Sequence, residues 1–507
     1  MVPLAAVAVT VVLLMPENSW APRGEIQVQG PAAVASAIHS ATDIGHVREV
    51  LRRLAEKRRL ARLRELRGRP TVPAALERAV LRRELSRGAL VADRRTLDAA
   101  RRLVSRWGPS GAEVGVVLAR TRDLAAGLRL SGDRIPAQML TLRRNVEATR
   151  HGTVPANRQR MTFPGDPAVV YERYAGEGLQ IQWLGSWGAV NWRAGRCLDA
   201  PKHCPKRRLQ ARVDRLVSLA SSRGGFIAWE YRFGFGGGSP PWVSAITQAT
   251  AAQALARAGR VLHDRHYRQL AKSAIGAFAQ APPVGVSAPE AGGGRHYLMY
   301  SFDPGLHILN GHVQALVALY DVARLTGSHR ARRLLRLGER DGAEWLRTYD
   351  TGAWSLYSAS GAEANLNYHE LVTGFLHELC DRVKSATYCD ASRRFTRYEH
   401  EPPRFHLWVS HRPRAKRLAT VSFDLSKISV VSVRALGPAG ASLIGGVQLP
   451  HGDHVLRWFP TKPGRYRIVI GAVDLAGNAG RLSRTIHVRP APHPNRKKHR
   501  KHPLRAK

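Results

Sequence analysis

Hydrophobic residues follow two different periods along this chain, and the change falls near residue 403. Before that point, apolar residues recur at intervals of three and four, as in Val47-Arg-Glu-Val-Leu-Arg-Arg-Leu, which predicts amphipathic helices. After it, apolar and polar residues alternate, as in Ala419-Thr-Val-Ser-Phe-Asp-Leu, which predicts half-buried strands. The pattern therefore predicts a mainly α chain that ends in a β domain.

Residues 44–150 are predicted to form a helical N-terminal region rich in arginine and leucine. We favour a solvated basic face on an accessory region, and a helix that binds a membrane surface or a cell wall is the alternative. Pro155 and Pro164 mark the passage to the next region.

Residues 165–400 are predicted to form helices joined by connections that contain Gly and Pro. In the segment that opens one of them, Ser239 can cap the helix, Pro240 and Pro241 suit its first positions, and Gly259 is a candidate stop. The predicted helices cover residues 206–222, 241–258, 264–279, 307–326, 329–346, 365–382 and 390–398. Helical hairpins in series predict an (α/α) toroid, whose inner helices line a cleft.

Residues 404–489 are predicted to form an immunoglobulin-like β-sandwich. Alternation at 419–425, 429–435 and 465–474, followed by a turn at 474–480 and a strand ending near Val488, indicates short strands with tight turns. A passive spacer is the favoured role, ahead of sugar binding. Residues 490–507 are rich in Pro, Lys, Arg and His, and a segment of that composition is expected to be disordered.

The net charge of the chain limits the classes of binding partner that we expect. Lys and Arg number 79 and Asp and Glu number 38, which gives a net charge of +41. Genome composition explains part of this excess, and attraction to an acidic polymer, either a polyuronate or an anionic cell wall, is the functional alternative. A nucleic-acid partner is not predicted, because the sequence carries no RNP box, zinc knuckle or helix-turn-helix pattern.

The N-terminal segment and the cysteines indicate that the protein is exported. Residues 2–15 form an uncharged apolar run, and Ser19-Trp-Ala21 offers a cleavage site between small residues. Residues 1–21 are therefore predicted to be a signal segment of a secreted or cell-surface protein. Because the basic flank expected before the apolar run is missing, an ordinary buried segment is the alternative. Cys197 with Cys204 and Cys380 with Cys389 each bracket a short loop. Two local disulfides are the favoured arrangement, with reduced thiols as the alternative.

Several motifs occur in a fixed order between residues 171 and 398. They are Gly238-Ser-Pro-Pro-Trp-Val-Ser-Ala-Ile-Thr-Gln-Ala249, Tyr300-Ser-Phe-Asp-Pro-Gly-Leu-His-Ile-Leu-Asn-Gly-His312, Leu319-Tyr-Asp321, Tyr349-Asp-Thr-Gly352 with Ser355-Leu-Tyr357, and Asn365-Leu-Asn-Tyr-His369. This set resembles the glucuronyl 5-epimerase family, whose members invert carbon 5 of uronic acids in heparin-like polysaccharides. The resemblance implies an (α/α) toroid, a uronic-acid polymer as substrate and no cofactor, and it is compatible with a dimer.

Inversion at carbon 5 sets the chemistry that the site must supply. A proton beside the carboxylate is removed and one is returned on the opposite face, so the reaction needs two acid/base groups and a group that neutralises the carboxylate. Tyrosine suits the base if positive charge nearby lowers its pKa. The resemblance implies that Tyr357 and Tyr368 exchange the proton from opposite faces, with Tyr300 assisting.

Three polar residues are further candidates for substrate binding. Asn310 and His369 could contact the uronate, with capping or packing as the alternative. Gln248 would face the cleft of a toroid, with a hydrogen-bonded core glutamine as the alternative.

Two positions depart from the family pattern. Met299 stands where the family has a glutamate before the assisting tyrosine, and Ser360 stands where animal members have an arginine. A carboxylate clamp is then expected from Arg232 or Arg295. No metal ligands are predicted, and the β-rich region that precedes the toroid in animal members is not recognisable here.

Other functions stay open beside an isomerase that epimerises glucuronate. A polysaccharide lyase or hydrolase on the same toroid is one alternative, with Asp303, Glu230 and Asp350 as carboxylates for hydrolysis. The other is a non-catalytic cell-surface protein that binds a glycan, which Met299 and Ser360 favour. The identity of the polymer is not predicted.

Overall fold

The structure is a computed structural model, and it describes residues 44–106, 108–340 and 342–491. The predicted signal segment at 1–21 and residues 492–507 of the basic tail lie outside the described residues. Residues 1–68 and 69–507 are separate units. In the first, α1 (Ile44–Glu65) is a basic helix with ion pairs along its surface, such as Arg53 with Glu49 at 2.9 Å.

The second unit begins with helices that share an apolar core. They are α2 (Val72–Leu81), α3 (Arg87–Arg106), α4 (Gly108–Ala126) and α5 (Ile135–His151). Thr71 caps α2 by accepting a hydrogen bond from the Ala74 amide at 3.3 Å. Gly152 ends α5 with a φ of 63°, a left-handed conformation that glycine adopts without strain. A core cluster from Val72 to Val146 joins the four helices, so this region is helical, as the sequence predicts.

A three-stranded antiparallel sheet follows, where the sequence analysis predicted no strand. It consists of β1 (Arg160–Phe163), β2 (Asp166–Tyr174) and β3 (Gly178–Ile181) in that order. Its residues are largely buried, and the Asn145 side chain of α5 bonds to both backbone groups of Leu179 at 2.7 and 2.8 Å. The helical pattern of the central region therefore begins only after this sheet.

Helices and short hairpins make up residues 183–398. The helices are α6 (Trp183–Asp199), α7 (Lys206–Val217), α8 (Ala245–Val261), α9 (Arg265–Ala274), α10 (Leu309–Thr326), α11 (His329–Glu339), α12 (Gly342–Thr348), α13 (Leu366–Val383) and α14 (Ala386–Tyr398), with 3-10 turns at Pro201–His203 and Ile275–Ala279. The hairpins are β4 (Ser221–Arg223) with β5 (Phe226–Ala228), and β6 (Ser287–Pro289) with β7 (Arg295–Tyr297). Helix α8 is buried almost all round and packs against α6, α9 and α10. Helix α6 is not among the predicted helices, and the arrangement as a toroid stays a prediction.

The start and the end predicted for α8 are both wrong. Trp242 exchanges backbone hydrogen bonds with Tyr231 at 2.8 and 3.0 Å, which holds the Ser239–Val243 segment extended and moves the helix start to Ala245. Ser239 therefore does not cap the helix. Gly259 lies inside it, at a close approach where a Cβ would come 2.7 Å from Arg268 Cγ, so the glycine there permits packing and does not terminate the helix.

The C-terminal strands form two antiparallel sheets. They are β8 (Phe405–Val409), β9 (Ala419–Leu425), β10 (Ser429–Leu436), β11 (Ala441–Leu449), β12 (Gly452–Trp458), β13 (Gly464–Asp474) and β14 (Ala479–Val488). One sheet has the order β12-β9-β8 and the other the order β11-β10-β13-β14. Alternate residues of both sheets share one apolar core, so the two sheets pack face to face. The strands predicted by alternation are present, and the immunoglobulin-like assignment stays a prediction.

Cross-links and a buried ion pair stabilise this unit. Disulfides join Cys197 to Cys204 and Cys380 to Cys389, the pairs that the sequence predicts. Lys427 joins the sheets to the helices, because its buried ammonium donates to the Tyr398 carbonyl at 2.6 Å and lies 3.0 Å from the Asp474 carboxylate. In the part of the chain that the structure describes, no helix is long and apolar enough to cross a membrane.

Candidate active site

Tyr357 lies in an irregular hairpin, residues 349–364, that precedes α13. Inside the hairpin, the Tyr357 amide donates to the Ala362 carbonyl at 2.6 Å. On the other side, the Leu309 amide at the start of α10 donates to the Tyr357 carbonyl at 3.2 Å, and Ile308 pairs with Ser358. The backbone of Tyr357 is thus held both within its hairpin and by the start of α10.

The β-sandwich holds the same hairpin from another direction. Glu363 has a side chain only 3% exposed, and it accepts hydrogen bonds from the amides of Ile428 at 2.9 Å and His451 at 2.8 Å. The carboxylate also lies 3.1 Å from His451 Nδ1. Because Glu363 pairs across the hairpin with Leu356, the sandwich is in contact with the segment that positions Tyr357.

The three tyrosines proposed from the resemblance lie together. The rings of Tyr357 and Tyr368 have centroids 4.8 Å apart, and the Tyr357 hydroxyl interacts with those of Tyr300 and Tyr368. Tyr368 reaches this cluster from the first turn of α13, where Asn365 caps the helix. We call Tyr300, Tyr357 and Tyr368 the phenol cluster.

Aromatic packing fixes Tyr300 within the phenol cluster. Its ring stacks on Phe302 at a centroid distance of 5.2 Å and meets Trp242 edge-on at 5.7 Å. Trp242 stacks in turn on Tyr231 at 4.3 Å. Tyr300 is therefore supported by an aromatic wall that includes the extended segment before α8.

Electrostatics keep the buried phenols protonated at neutral pH. Burial, and then the neighbouring Tyr300 and Tyr368, raise the pKa of Tyr357 above its ordinary value. Burial likewise raises the pKa of Tyr300 to about 12, although the hydrogen bond with Tyr357 opposes that shift. The sequence analysis expected positive charge to lower the pKa of a tyrosine base, and the structure contradicts this for both residues.

The N-termini of two helices, α8 and α10, lie beside the phenol cluster. Ser244 precedes α8 and Ile308 precedes α10, and neither makes a side-chain capping bond. Ser244 instead lies 3.5 Å from the sulfur of Met299, which packs with Ile308 next to Tyr300 and Tyr357. The position where the family has glutamate is thus filled by an apolar side chain, and the first turns of two helices leave amide groups without intrahelical partners nearby.

Asn310 lies in the first turn of α10 with an unsatisfied side chain. The residue is 3% exposed, and neither its amide oxygen nor its amide nitrogen has a hydrogen-bond partner. Leaving a buried polar group unsatisfied costs about 1–3 kcal/mol, so a ligand that bonds to it is the economical explanation. The contact of Asn310 with substrate stays a prediction.

The structure contradicts the binding role predicted for two other residues. Gln248 is fully buried, its oxygen accepts from the Trp229 amide at 3.0 Å, and its nitrogen donates to the Ile227 carbonyl at 3.1 Å. His369 is also buried, with one ring nitrogen 2.7 Å from the Ser355 hydroxyl and the other 3.0 Å from the Phe395 carbonyl. Both side chains are satisfied by the protein, because they join packed elements of the core.

The contacts of the two candidate arginines do not match the carboxylate clamp expected of them. Arg232 is buried, with its guanidinium 3.8 Å from Glu230, and two of its nitrogen atoms have no hydrogen-bond partner. Arg295 begins β7, and its charge acts on the core residue Tyr297. Neither arginine is among the main groups that shift the pKa of Tyr300 or Tyr357. The structure therefore gives no support to a clamp from Arg232 or Arg295.

Two of the carboxylates considered for hydrolysis, Glu230 and Asp350, form ion pairs with arginine side chains. Burial opposes ionisation of Glu230, but hydrogen bonds from Arg134 and Arg223 and the charge of Arg232 lower its pKa to about 2. Asp350 accepts from Arg394 and Tyr398, both at 2.9 Å, and lines an open surface cavity of about 510 Å³. Glu230 is therefore an anion and not the proton donor with a raised pKa that glycoside hydrolysis needs.

Sequence analysis missed the residues that position the phenols. Glu363 is an ordinary acidic residue in a loop, and its partners lie 65 and 88 residues further along the chain. Ile308 and Leu309 act through their backbones, which carry no sequence signature. Its position in a loop flanked by motif residues is the one sequence feature that could have pointed to Glu363.

The fold and the site define a helical protein with a cluster of buried phenols and a C-terminal pair of β-sheets. Residues 223–397 match the family described as the D-glucuronyl C5-epimerase C-terminus. That range contains all three tyrosines of the phenol cluster, and this part of the chain is similar to members of that family.

Two curated relatives overlap this region. A D-glucuronyl C5-epimerase of Caenorhabditis elegans is 30% identical over 149 residues, which is 26% of this chain and 24% of the relative. An uncharacterized protein of Methanocaldococcus jannaschii is 31% identical over 159 residues, which is 29% of this chain and 49% of the relative. The chain thus spans about a quarter of one relative and about half of the other.

Solved structures give a weaker comparison. The cellobiose 2-epimerase of Spirochaeta thermophila has a TM-score of 0.35 and 14% identity, covering 57% of this chain and 73% of that one. A GH76 α-mannanase of Bacteroides thetaiotaomicron has a TM-score of 0.35 and 9% identity, covering 47% of this chain and 66% of that one. These TM-scores are too low to support a conclusion about fold or function.

The contact between Glu363 and the sandwich predicts how firmly the hairpin is held. Glu363→Ala removes the acceptors for two amides, and a hydrogen bond to a charged group contributes about 1.5–3 kcal/mol. We expect amide hydrogen exchange in residues 350–364 to become about 10- to 150-fold faster, as measured by mass spectrometry. Glu370→Ala, at an exposed position of α13, is the matched control, and equal exchange in both variants would contradict this role.

Proposed function

We propose that this protein is a uronyl 5-epimerase that inverts carbon 5 of glucuronate residues in an acidic polysaccharide. The observation that carries the proposal is the phenol cluster, in which Tyr357 contacts both Tyr300 and Tyr368 within the residues that match the epimerase family. A phenol can serve as the base when ionised and as the acid when protonated. We further propose that helices α6 to α14 form an (α/α) toroid around this site.

The substrate carboxylate would be held without an arginine. Charge develops on that carboxylate as the carbon 5 proton leaves, so donors aimed at it lower the barrier. The unsatisfied side-chain amide of Asn310 is such a donor, together with the first-turn N–H groups of α10 that follow Leu309, whose own N–H is taken by the Tyr357 carbonyl. This arrangement would replace the arginine that animal members have at the position of Ser360, which here is exposed and lies 2.8 Å from the Ser358 hydroxyl.

Because the Tyr357 and Tyr368 rings are in contact, substrate binding between them requires a movement. At a centroid distance of 4.8 Å the rings touch, so a pyranose can lie between them only if they separate. Tyr368 is half-buried in the first turn of α13, whereas Tyr357 is held in its hairpin on both sides. We therefore propose that the Tyr368 side chain turns aside when the sugar binds, so that the two hydroxyls face opposite sides of the ring.

The charge of the chain supports a polyanionic substrate at the cell surface or outside the cell. A net charge of +41 attracts an anionic polymer and raises its local concentration. Two disulfides are typical of exported proteins. An anionic cell-wall polymer is a second candidate partner, because it too is negatively charged.

A non-catalytic glycan-binding protein is the second candidate. The raised pKa of Tyr357 and the apolar Met299 beside the phenols favour it, since both make an ionised base scarcer. A lyase would share the removal of the proton and then expel the glycosidic oxygen, so its unsaturated product distinguishes it.

Proton exchange tests the proposed reaction directly. In heavy water, incubation with a panel of glucuronate polymers should introduce deuterium at carbon 5, as detected by NMR. Tyr357→Phe and Tyr368→Phe should each lower the exchange rate by about 10²- to 10⁴-fold, because each removes one acid/base group. Tyr320→Phe, a half-buried tyrosine elsewhere on α10, should leave the rate unchanged. Binding without exchange would favour the glycan-binding protein, and an ultraviolet-absorbing product would favour the lyase.

Asn310 should show opposite effects on stability and activity. Asn310→Leu removes an unsatisfied buried amide, so the free energy of unfolding should stay equal or rise by about 1 kcal/mol, while kcat/KM falls by about 10- to 100-fold. The control is Asn145→Leu, which removes an amide bonded to Leu179 and should lower the free energy of unfolding by about 2 kcal/mol. Chemical denaturation and initial rates check both. A large loss of stability in Asn310→Leu would show that the amide is structural.

The raised pKa of Tyr357 predicts an alkaline pH profile. Because the ionised base is scarce at neutral pH, kcat/KM should rise about tenfold per pH unit between pH 7 and 9. Measurement should stop below pH 10, because the native state holds the Tyr300 proton up to about 12 while an unfolded tyrosine loses it near 10.0, so stability falls as the pH rises through that window. A plateau near pH 7 would exclude a buried phenol as the base.

A further inference from the structure

The two outer faces of the β-sandwich differ in charge. On the four-stranded sheet, the side chains that point away from the core include four exposed arginines, Arg434 on β10, Arg465 and Arg467 on β13, and Arg481 on β14. Asp474 is the one acid among the strand residues of this sheet, and it is buried. The three-stranded sheet instead directs Asp424 and Asp453 outward as a cross-strand pair. We call the outward residues of β10, β11, β13 and β14 the basic face.

The arginines of the basic face have no acid to pair with. Within the part of the chain that the structure describes, none of the four makes an ion pair or a side-chain hydrogen bond. Arg434 is paired across the strands with Val469, so Arg467, two residues along β13, is its diagonal neighbour, and Arg465 follows on the same face. Like charges on neighbouring strands repel each other and destabilise a sheet, and an anionic ligand would offset this repulsion.

A shallow trough crosses the basic face next to the arginines. Ser432 on β10 is paired with Gly445 on β11 and with Gly471 on β13, and Gly471 is paired in turn with Arg481 on β14. A Cβ atom added at Gly471 would meet nothing within 4 Å, so the space above this glycine is open. The row from Gly445 to Gly471 therefore lies lower than the rows on either side, and Arg481 stands at its end.

The two rims of the trough differ in chemistry. On one side, Arg434 and Val469 form the adjacent row. On the other side, Val430 and Val473 form a cross-strand pair, and they are 42% and 44% exposed. The trough thus offers guanidinium groups along one rim and at one end, and exposed apolar side chains along the other rim.

We propose that the basic face binds a linear anionic polysaccharide, with the polymer chain lying in the trough. Guanidinium groups form paired hydrogen bonds with carboxylates, the two valines can cover the apolar C–H surface of a sugar ring, and Ser432 can bond to a sugar hydroxyl. The trough crosses four strands, which span about 14 Å at the usual strand spacing. The sequence analysis placed a passive spacer ahead of sugar binding for this domain, and the charge of this face favours binding.

A polysaccharide fits this face better than a nucleic acid or a membrane. None of the outward strand residues of the basic face is a Phe, Tyr or Trp, so the aromatic platform on which unpaired bases usually stack is missing there. A recessed row between two rims suits a single chain and does not match a planar bilayer. The choice of a uronate polymer rests on the proposed function, whereas the binding of an anionic chain does not depend on the reaction at the phenol cluster.

Calorimetric titration of the full chain with hyaluronan, a polymer with one glucuronate carboxylate in each repeat, tests the proposal. The triple variant Arg434→Gln, Arg467→Gln and Arg481→Gln should weaken binding by about 3- to 150-fold, because each exposed ion pair contributes a modest free energy. The variant should also reduce the dependence of the binding constant on salt concentration. All three positions are exposed, so the variant should fold, which circular dichroism checks.

A charge-matched control separates this face from the general basic charge of the chain. The triple variant Arg412→Gln, Arg417→Gln and Arg457→Gln removes three exposed arginines of the same domain outside the basic face, and its affinity should stay close to that of the wild type. Both variants keep the phenol cluster, and binding is measured without turnover, so the result is separate from that of exchange at carbon 5. Equal weakening in the two triple variants, equal affinity for the neutral polymer dextran, or binding to anionic lipid vesicles but not to hyaluronan would each overturn the proposal.

Discussion

The hydrogen bond from the Leu309 amide to the Tyr357 carbonyl is the contact on which the arrangement of the phenols depends. It joins the hairpin of residues 349–364 to the first residue of α10, a helix buried along most of its length. The hairpin is otherwise irregular, with short bridges and no strand of its own. Glu363 fixes its far side to the β-sandwich. A loop that carries a functional residue is thus positioned by rigid elements around it.

Buried polar side chains in this protein differ in whether the protein supplies all their hydrogen bonds. This difference helps to distinguish structural residues from candidate functional ones. Gln248, His369 and Asn145 are buried polar side chains whose hydrogen bonds are all made within the protein. Asn310 and His296 are buried to the same degree, and each retains an atom without a partner. Because such atoms are costly, they are places where a ligand would restore a missing bond, and Arg232, with two unpartnered nitrogen atoms, is another such place. Identity and burial alone would not distinguish these two groups.

Burial raises the pKa of the acid Glu230 and of the phenol Tyr357 alike, but their neighbours lead to opposite charge states. Glu230 remains an anion because Arg134 and Arg223 bond to it directly, whereas Tyr357 has only other phenols as neighbours that shift its pKa and stays protonated. Ionised tyrosine would need a hydrogen-bond donor or a positive charge brought in by a moving side chain, because the uronate substrate is itself an anion. The contact of the Tyr357 and Tyr368 rings makes the same demand for movement. Electrostatics and sterics therefore both connect the proposed chemistry with a change on binding.

Periodicity alone determined the helical and β regions, most helices and the strands at 419–425, 429–436 and 464–474, because amphipathic patterns report burial directly. Motif order determined the family and the three tyrosines, and short spacing determined the cysteine pairs. The start of α8 could not be predicted, because backbone pairing of Trp242 with Tyr231 outweighed a strong local helix signal. Likewise, only the tertiary structure decided that Gln248 and His369 are satisfied, that Glu363 holds the hairpin, and that Arg434 and Arg467 are neighbours on one face of a sheet. Each of these depends on hydrogen bonds or distances between separate elements of the fold, which local residue preferences do not encode.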